Sequence, residues 1–130
     1  MMPQKTILSN YLFNTGSMLG FEKWLSRFNS LIDKNLDNSF FNNQQFAEAL
    51  TISERHPFRK MKELTGLSPQ RYVSRYRLHK AMKYLENGKY HTVKETAYAV
   101  GFRNPSYFIR QFEKEFGKKP LLVLKEAGWR

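Results

Sequence analysis

The sequence predicts an all-α chain in which two helix-turn-helix subdomains are joined by a long connecting helix. Three observations carry that prediction. Apolar residues recur at helical spacing, and no stretch shows sustained period-two alternation. Helix-start chemistry, a capping side chain followed by proline or with glutamate or glutamine three residues on, appears several times. A set of residues also repeats at a spacing of 50 to 51 positions. A chain of 130 residues has room for one domain with a real core and not for a second full one.

Taken in order, residues 1–21 form a leader in which Ile7, Leu8, Tyr11, Leu12 and Phe13 are interrupted by Ser9, Asn10, Asn14 and Gly16. Such a segment lacks the unbroken apolar run of a signal peptide or membrane span. Over residues 22–36, Trp24, Leu25, Phe28, Leu31 and Ile32 make the stripe of an amphipathic helix that packs on the body. Asparagines crowd the connection that follows; Asn42 with Gln45 resembles a capping box, and Phe41 with Phe46 a hydrophobic staple, opening a short helix over about 43–50. Further starts fall at Ser68 before Pro69, Thr92 with Glu95, and Asn104 before Pro105. Gly66, Gly88, Gly101 and Gly117 mark stops or turns. Residues 70–87, with Tyr72, Val73, Tyr76, Leu78, Ala81, Met82 and Leu85, read as one connecting helix, and the total is six or seven helices with no sheet.

In the repeat, Ala47, Ile52, Arg59, Met61, Gly66 and Pro69 recur as Ala97, Phe102, Arg110, Phe112, Gly117 and Pro120. The offset grows from 50 to 51 after the second pair, so the second copy carries one extra residue in its turn. In that copy Ala97 lets the second helix cross close to the first, and Gly101 can take the left-handed conformation the turn needs. Val93, Val100, Phe102, Phe108 and Phe112 supply a small core, which leaves Ser106, Ile109 and Arg110 facing outward with Arg103 in the turn. On a recognition helix such positions meet base edges in the major groove, where arginine grips guanine and apolar groups touch a thymine methyl.

The net charge of +11 is unevenly placed: residues 1–50 hold four basic and four acidic side chains, residues 51–130 eighteen basic and seven acidic. A neutral leader on a basic body is the footprint of a polyanion binder. Charge alone leaves DNA, RNA, an anionic lipid surface and a merely solvated cationic face open, and Lys118 with Lys119 is either a phosphate-facing or a solvated pair. The chain has no cysteine, which removes disulfides, thiolate chemistry and cysteine-based zinc sites. His56, His79 and His91 share no metal-ligand spacing. No catalytic arrangement emerges, and Glu113 and Glu115 are expected to decorate a solvated helix face. The aromatic set Phe102, Tyr107, Phe108, Phe112 and Phe116 follows helix faces and is expected in the core rather than as a stacking platform for single strands.

The run Ala97-x-x-x-Gly101-Phe102-x-x-x-Ser106-Tyr107-Phe108-x-x-x-Phe112-x-x-x-Phe116-Gly117-x-x-Pro120 resembles the AraC/XylS-type transcription regulators. The first copy adds Ser53, Arg59, Lys62, Leu64-Thr65-Gly66-Leu67-Ser68-Pro69 and the linker pattern Arg77-Leu78-x-x-Ala81-x-x-x-Leu85. The resemblance covers about residues 22–123; within it, Arg59-Lys60 and Leu64-Thr65-Gly66 are most like output domains at the ends of hybrid two-component sensors. It implies homeodomain-like units, a bacterial origin, and two recognition helices that enter successive major grooves on one face of double-stranded DNA. By the family pattern, base-facing positions fall on Arg55, Phe58 and Arg59 in the first unit and on Pro105, Ser106, Ile109 and Arg110 in the second. Lys62, Arg103 and Lys114 join the DNA-binding set, with Lys114 expected on phosphate.

Three positions depart from the family pattern: Pro57 replaces a usual leucine, Thr51 a common glycine, and Thr96 a common aliphatic core residue. Proline lacks the N–H of the helical ladder and pushes the residue before it away from helical angles. The first recognition helix is therefore expected to begin at Pro57, with residues 53–56 as an extended turn and Arg55 outside the helix.

These observations predict a leader over 1–21 and a DNA-binding domain over 22–130, with helix-turn-helix units at about 42–66 and 92–117 and the connecting helix at about 69–87. The expected activity is sequence-specific duplex DNA binding in transcription regulation, without enzymatic activity, cofactor or metal. Expected partners are DNA and, for an activator, RNA polymerase, with no membrane partner. The chain is expected in the cytoplasm, binding as a monomer unless the leader or a missing domain dimerises it, either as a stand-alone regulator or as an excised output domain. Two other classes stay open: a protein-interaction module that has lost DNA, and a basic protein binding RNA or membrane surfaces nonspecifically.

Overall fold

The computed structural model describes residues 19–39 and 56–128. Among them are six α-helices and no strand: α1 (Leu19–Lys34), α2 (His56–Thr65), α3 (Pro69–Asn87), α4 (Val93–Ala99), α5 (Pro105–Phe116) and α6 (Pro120–Glu126). The helix expected over 43–50, its cap and its staple lie outside the described residues, as do Thr51 and residues 53–55. The chain divides into two units, one of residues up to Asn35 and Phe40–Val73, the other of Leu36–Ser39 and everything from Ser74 onward.

In the first unit α1 buries the predicted stripe: Trp24, Leu25, Phe28 and Ile32 are inside and Leu31 is half-buried. The helix starts three residues earlier than the stripe alone indicates. Its C-terminus closes where both the backbone N–H and the side-chain amide of Asn35 donate to the Leu31 carbonyl, at 3.2 and 3.0 Å. The Phe28 ring stacks on Trp24 at 5.1 Å and meets Tyr72 of α3 at 5.8 Å. Tyr72 is buried and donates its hydroxyl to Asn29 Oδ1 at 2.7 Å. Burial pushes its phenol up to about 12, the Asn29 bond acting in the opposite direction.

The expected start of α2 is off by one residue: the helix includes His56, with Pro57 second. Proline in the first turn removes an N–H that has no helical partner there in any case, which is why the helix accommodates it. At the other end the Thr65 hydroxyl donates to the Met61 carbonyl (2.7 Å) and accepts from the Leu67 N–H (3.0 Å), and Gly66 turns the chain at φ 75°.

The second unit uses the cap chemistry read from the sequence. Thr92 and Glu95 form a reciprocal capping box at the start of α4. Asn104 accepts from the Tyr107 N–H at 3.0 Å, with Pro105 next in line, at the start of α5. Ala97, Val100, Phe102, Phe108 and Phe112 are buried together with Leu78, Ala81 and Leu85 of α3 and Val123 and Leu124 of α6. Thr96, the polar departure from the family pattern, is completely buried, and its hydroxyl donates to the Thr92 carbonyl at 2.9 Å, so no polar atom is orphaned by the exchange.

Two expectations about polarity fail here. Glu115 is buried rather than on a solvated face, held by Arg75 Nε at 3.0 Å and His79 Nε2 at 2.8 Å from α3. It lies three residues after Phe112 and seven after Phe108, on the inward side of α5. Tyr107, assigned to the core with the other aromatics, is 47% exposed, because its helical offset groups it with exposed Arg110 and Lys114.

Candidate nucleic-acid interface

In the second unit the candidate interface is built on α4, a turn and α5. Val100 caps α4, Gly101 turns at φ 92°, and the Phe102 N–H returns to the Ala97 carbonyl at 2.9 Å. With Asn104 capping α5, the turn is closed by local bonds, and the helix that follows shows a definite face to solvent. On that helix Ser106, Tyr107, Arg110 and Lys114 are exposed, Pro105 and Ile109 are half-buried, and Arg103 is exposed in the turn. The Arg110 guanidinium sits over the Tyr107 ring at 5.9 Å from its centroid. Tyr107 is the residue that assignment of all aromatics to the core passes over. Its spacing of three from Arg110 and seven from Lys114 already puts it on the outward stripe.

In the first unit Arg59 and Lys62 are exposed on α2. Arg55 and the side chain of Phe58 lie outside the described residues. The repeat has a structural counterpart: Arg59 and Arg110 are both exposed, and Met61 and Phe112 are both fully buried. Gly66 and Gly117 both end a helix at φ 75° and 76°, and Pro69 and Pro120 both begin one. Of the pair Lys118 and Lys119, the first is engaged by Glu126 at 3.1 Å and the second is exposed.

Chemically this is a surface of donors and cations on helices, suited to phosphate oxygens and base edges. Among the described residues no group of three or more His, Asp or Glu side chains could hold a metal ion, and no helix is long and apolar enough to cross a membrane.

Comparison with known proteins agrees with this architecture. A family model described as a helix-turn-helix domain matches residues 46–126. The chain is 30% identical over 99 residues to histidine kinase P4 of Formosa agariphila, covering 76% of this chain and 7% of that protein. It is 42% identical over 74 residues to the HTH-type transcriptional activator RhaS of Salmonella arizonae, covering 57% of this chain and 26% of that protein. The C-terminal domain of AraT, a response regulator from Geobacillus stearothermophilus, superposes with a TM-score of 0.65 at 26% identity, covering 78% of this chain and 83% of that one. The repeated helix-turn-helix residues, the capped second unit and these matches together show that the chain belongs to the AraC-type helix-turn-helix family.

Proposed function

We propose that the chain binds double-stranded DNA sequence-specifically and regulates transcription, either by itself or as the DNA-reading part of a larger regulator. In this reading α2 and α5 are recognition helices that read successive major-groove segments. The observation that carries it is α5: a capped helix after a tight turn, with Arg103, Ser106 and Arg110 exposed, and with exposed Arg59 and Lys62 repeating the pattern on α2. Arg110 and Arg59 read guanine, Ile109 and Phe58 lie against thymine methyls, and Pro105 and Ser106 approach base edges from the first turn of α5. Tyr107 joins this set by its place beside Arg110. Lys62, Arg103 and Lys114 neutralise phosphates, and Arg55 approaches the same face from before α2. The chain acts in the cytoplasm, binds as a monomer unless the leader or a missing domain dimerises it, and contacts RNA polymerase if it is an activator.

Arg110→Ala tests this reading on a duplex selected by the chain from a random pool, with a random duplex and an RNA of the same length alongside. The expected loss is about 1–3 kcal/mol of specific binding, with relaxed preference at one base position. Equal losses on selected and random duplex would make Arg110 a phosphate contact. Equal affinity of the unmodified chain for RNA and selected duplex would remove the DNA reading altogether.

A further inference from the structure

Arg77 of α3 lies in the second unit with 6% of its surface exposed. A buried guanidinium is costly unless its N–H groups find acceptors. Here Nη1 donates to the carbonyls of Leu36 and Val100, the latter at 2.9 Å, and Nη2 donates to the carbonyl of Asn38 at 3.2 Å. Burial pushes the guanidinium below its ordinary value, and Asp37 acts against that shift. It stays charged at neutral pH all the same.

What it holds is the turn of the second helix-turn-helix. Val100 caps α4, where the last carbonyls of a helix lack helical donors, and Arg77 supplies one. Gly101 follows at φ 92°, and a Cβ built there would overlap both the Arg77 guanidinium and the Leu36 carbonyl oxygen. The turn backbone is thus packed directly onto the arginine. Asn104 starts α5 just beyond, so the direction in which α5 leaves is set where Arg77 acts. The other carbonyls belong to the Leu36–Ser39 segment, which shares the second unit although it precedes α2 in the chain. A planar fork with five donors can join carbonyls from separate segments; a lysine ammonium, with three donors on one nitrogen, cannot span them equally.

We propose that Arg77 is a positioning residue for DNA recognition, fixing the aim of α5 by pinning the turn at Val100 and Gly101 to the Leu36–Ser39 segment. Arg77 touches no DNA in this scheme, and the inference rests on α5 being a recognition helix as proposed above. The linker pattern marks this arginine in the sequence without giving it a role; the role follows from burial and from the three carbonyls.

The test uses Arg77→Met and Arg77→Lys in the 130-residue chain, each with and without Arg110→Ala. Hydroxyl-radical footprints and titrations are made on a duplex selected by the unmodified chain, and circular dichroism checks helicity at the assay temperature. Arg77→Met is expected to stay helical, to keep protection over the segment read by α2, and to lose it over the segment read by α5. Arg110→Ala, expected to cost about 5- to 150-fold in the unmodified chain, should then cost less than about twofold. Arg77→Lys should fall between. A helical Arg77→Met with both segments protected and the full Arg110 effect overturns the proposal. If Arg77→Met does not fold, Arg77→Lys is read by the same two measurements; if neither folds, Arg77 is a general support of the fold and the proposal also fails. An unmodified chain in which Arg110→Ala has no effect would instead remove the recognition role of α5, and the inference with it.

Discussion

At the scale of single residues, Glu115 and Tyr72 are buried polar groups held by named partners, and substitutions there should hurt. Glu115 takes a charge-assisted bond from Arg75 and another contact from His79, while both partners keep part of their surface in water. Glu115→Ala should therefore cost about 1.5–3 kcal/mol in chemical denaturation, at the modest end for a carboxylate this buried. A change below about 0.5 kcal/mol would show that the pair contributes nothing net. Tyr72 gives a pH-dependent test. Its phenol is raised from 10.0 to about 12 in the folded chain, so folding favours the protonated form. The stabilising contribution is complete below pH 10 and is lost as pH rises through about 12. Tyr72→Phe, which also loses the Asn29 bond, should be about 1 kcal/mol less stable at neutral pH, yet its stability should fall less steeply across that alkaline window. Equal alkaline slopes in the two proteins would contradict this. Neither the burial of Glu115 nor the exposure of Tyr107 follows from residue type. Glutamate and tyrosine types favour the surface and the core respectively, whereas the actual placement of Glu115 and Tyr107 depends on which side of α5 meets α3, a tertiary fact. Their helical offsets from Phe112 and Arg110 were nevertheless available and point the right way.

At the scale of elements, starts and stops were the most legible features, because capping depends on residues three or four positions apart and on nothing distant. Thr92, Asn104 and the positive-φ glycines occupy the positions their chemistry predicts. What local chemistry could not show is that Gly101 differs in kind from Gly66 and Gly117. All three have φ between 75° and 92°, but a Cβ at Gly66 or Gly117 meets nothing within 4 Å, while at Gly101 it meets Arg77 and Leu36. Gly117→Ala should cost about 1–2 kcal/mol from the left-handed backbone alone. Gly101→Ala adds a steric conflict of about 1–3 kcal/mol to the same backbone cost. Thermal melts of the two variants check the ranking, and equal midpoints would mean that the guanidinium yields without penalty. Thr96→Val probes the reverse case. Because the Thr92 carbonyl still accepts the Thr96 N–H at 3.1 Å, loss of the hydroxyl leaves no orphan, and stability should change by less than about 0.5 kcal/mol or rise.

At the scale of the whole chain, the quantity that matters is where the charge sits. The excess of eighteen basic over seven acidic side chains after residue 50 accounts for the entire net +11. This was fully legible in the sequence, and so was the repeat, since neither needs a fold to be counted. Which cations face phosphate was not legible, because a lysine already engaged within the protein, as Lys118 is by Glu126, releases fewer counterions than its charge indicates. Salt dependence reads this directly. Each neutralised phosphate contributes about 0.9 to the slope of log affinity against log salt, so five contacts, the smallest number expected from two recognition helices with flanking cations, give a slope near −4.5. Affinity for the selected duplex should then fall roughly 500-fold when monovalent salt is raised fourfold from a low starting value. Lys114, exposed on α5 beyond the positions proposed to read bases, should carry about one unit of that slope, and Lys114→Ala should lower it equally on selected and random duplex. The protected region should comprise two segments about one helical turn, roughly 10 base pairs, apart and should be asymmetric if, as proposed, two different helices of one chain read it. A slope shallower than about −2, which is the value for two phosphates, would place most of the positive charge away from DNA. A palindromic footprint formed only by dimers would assign one recognition helix, not two, to each chain.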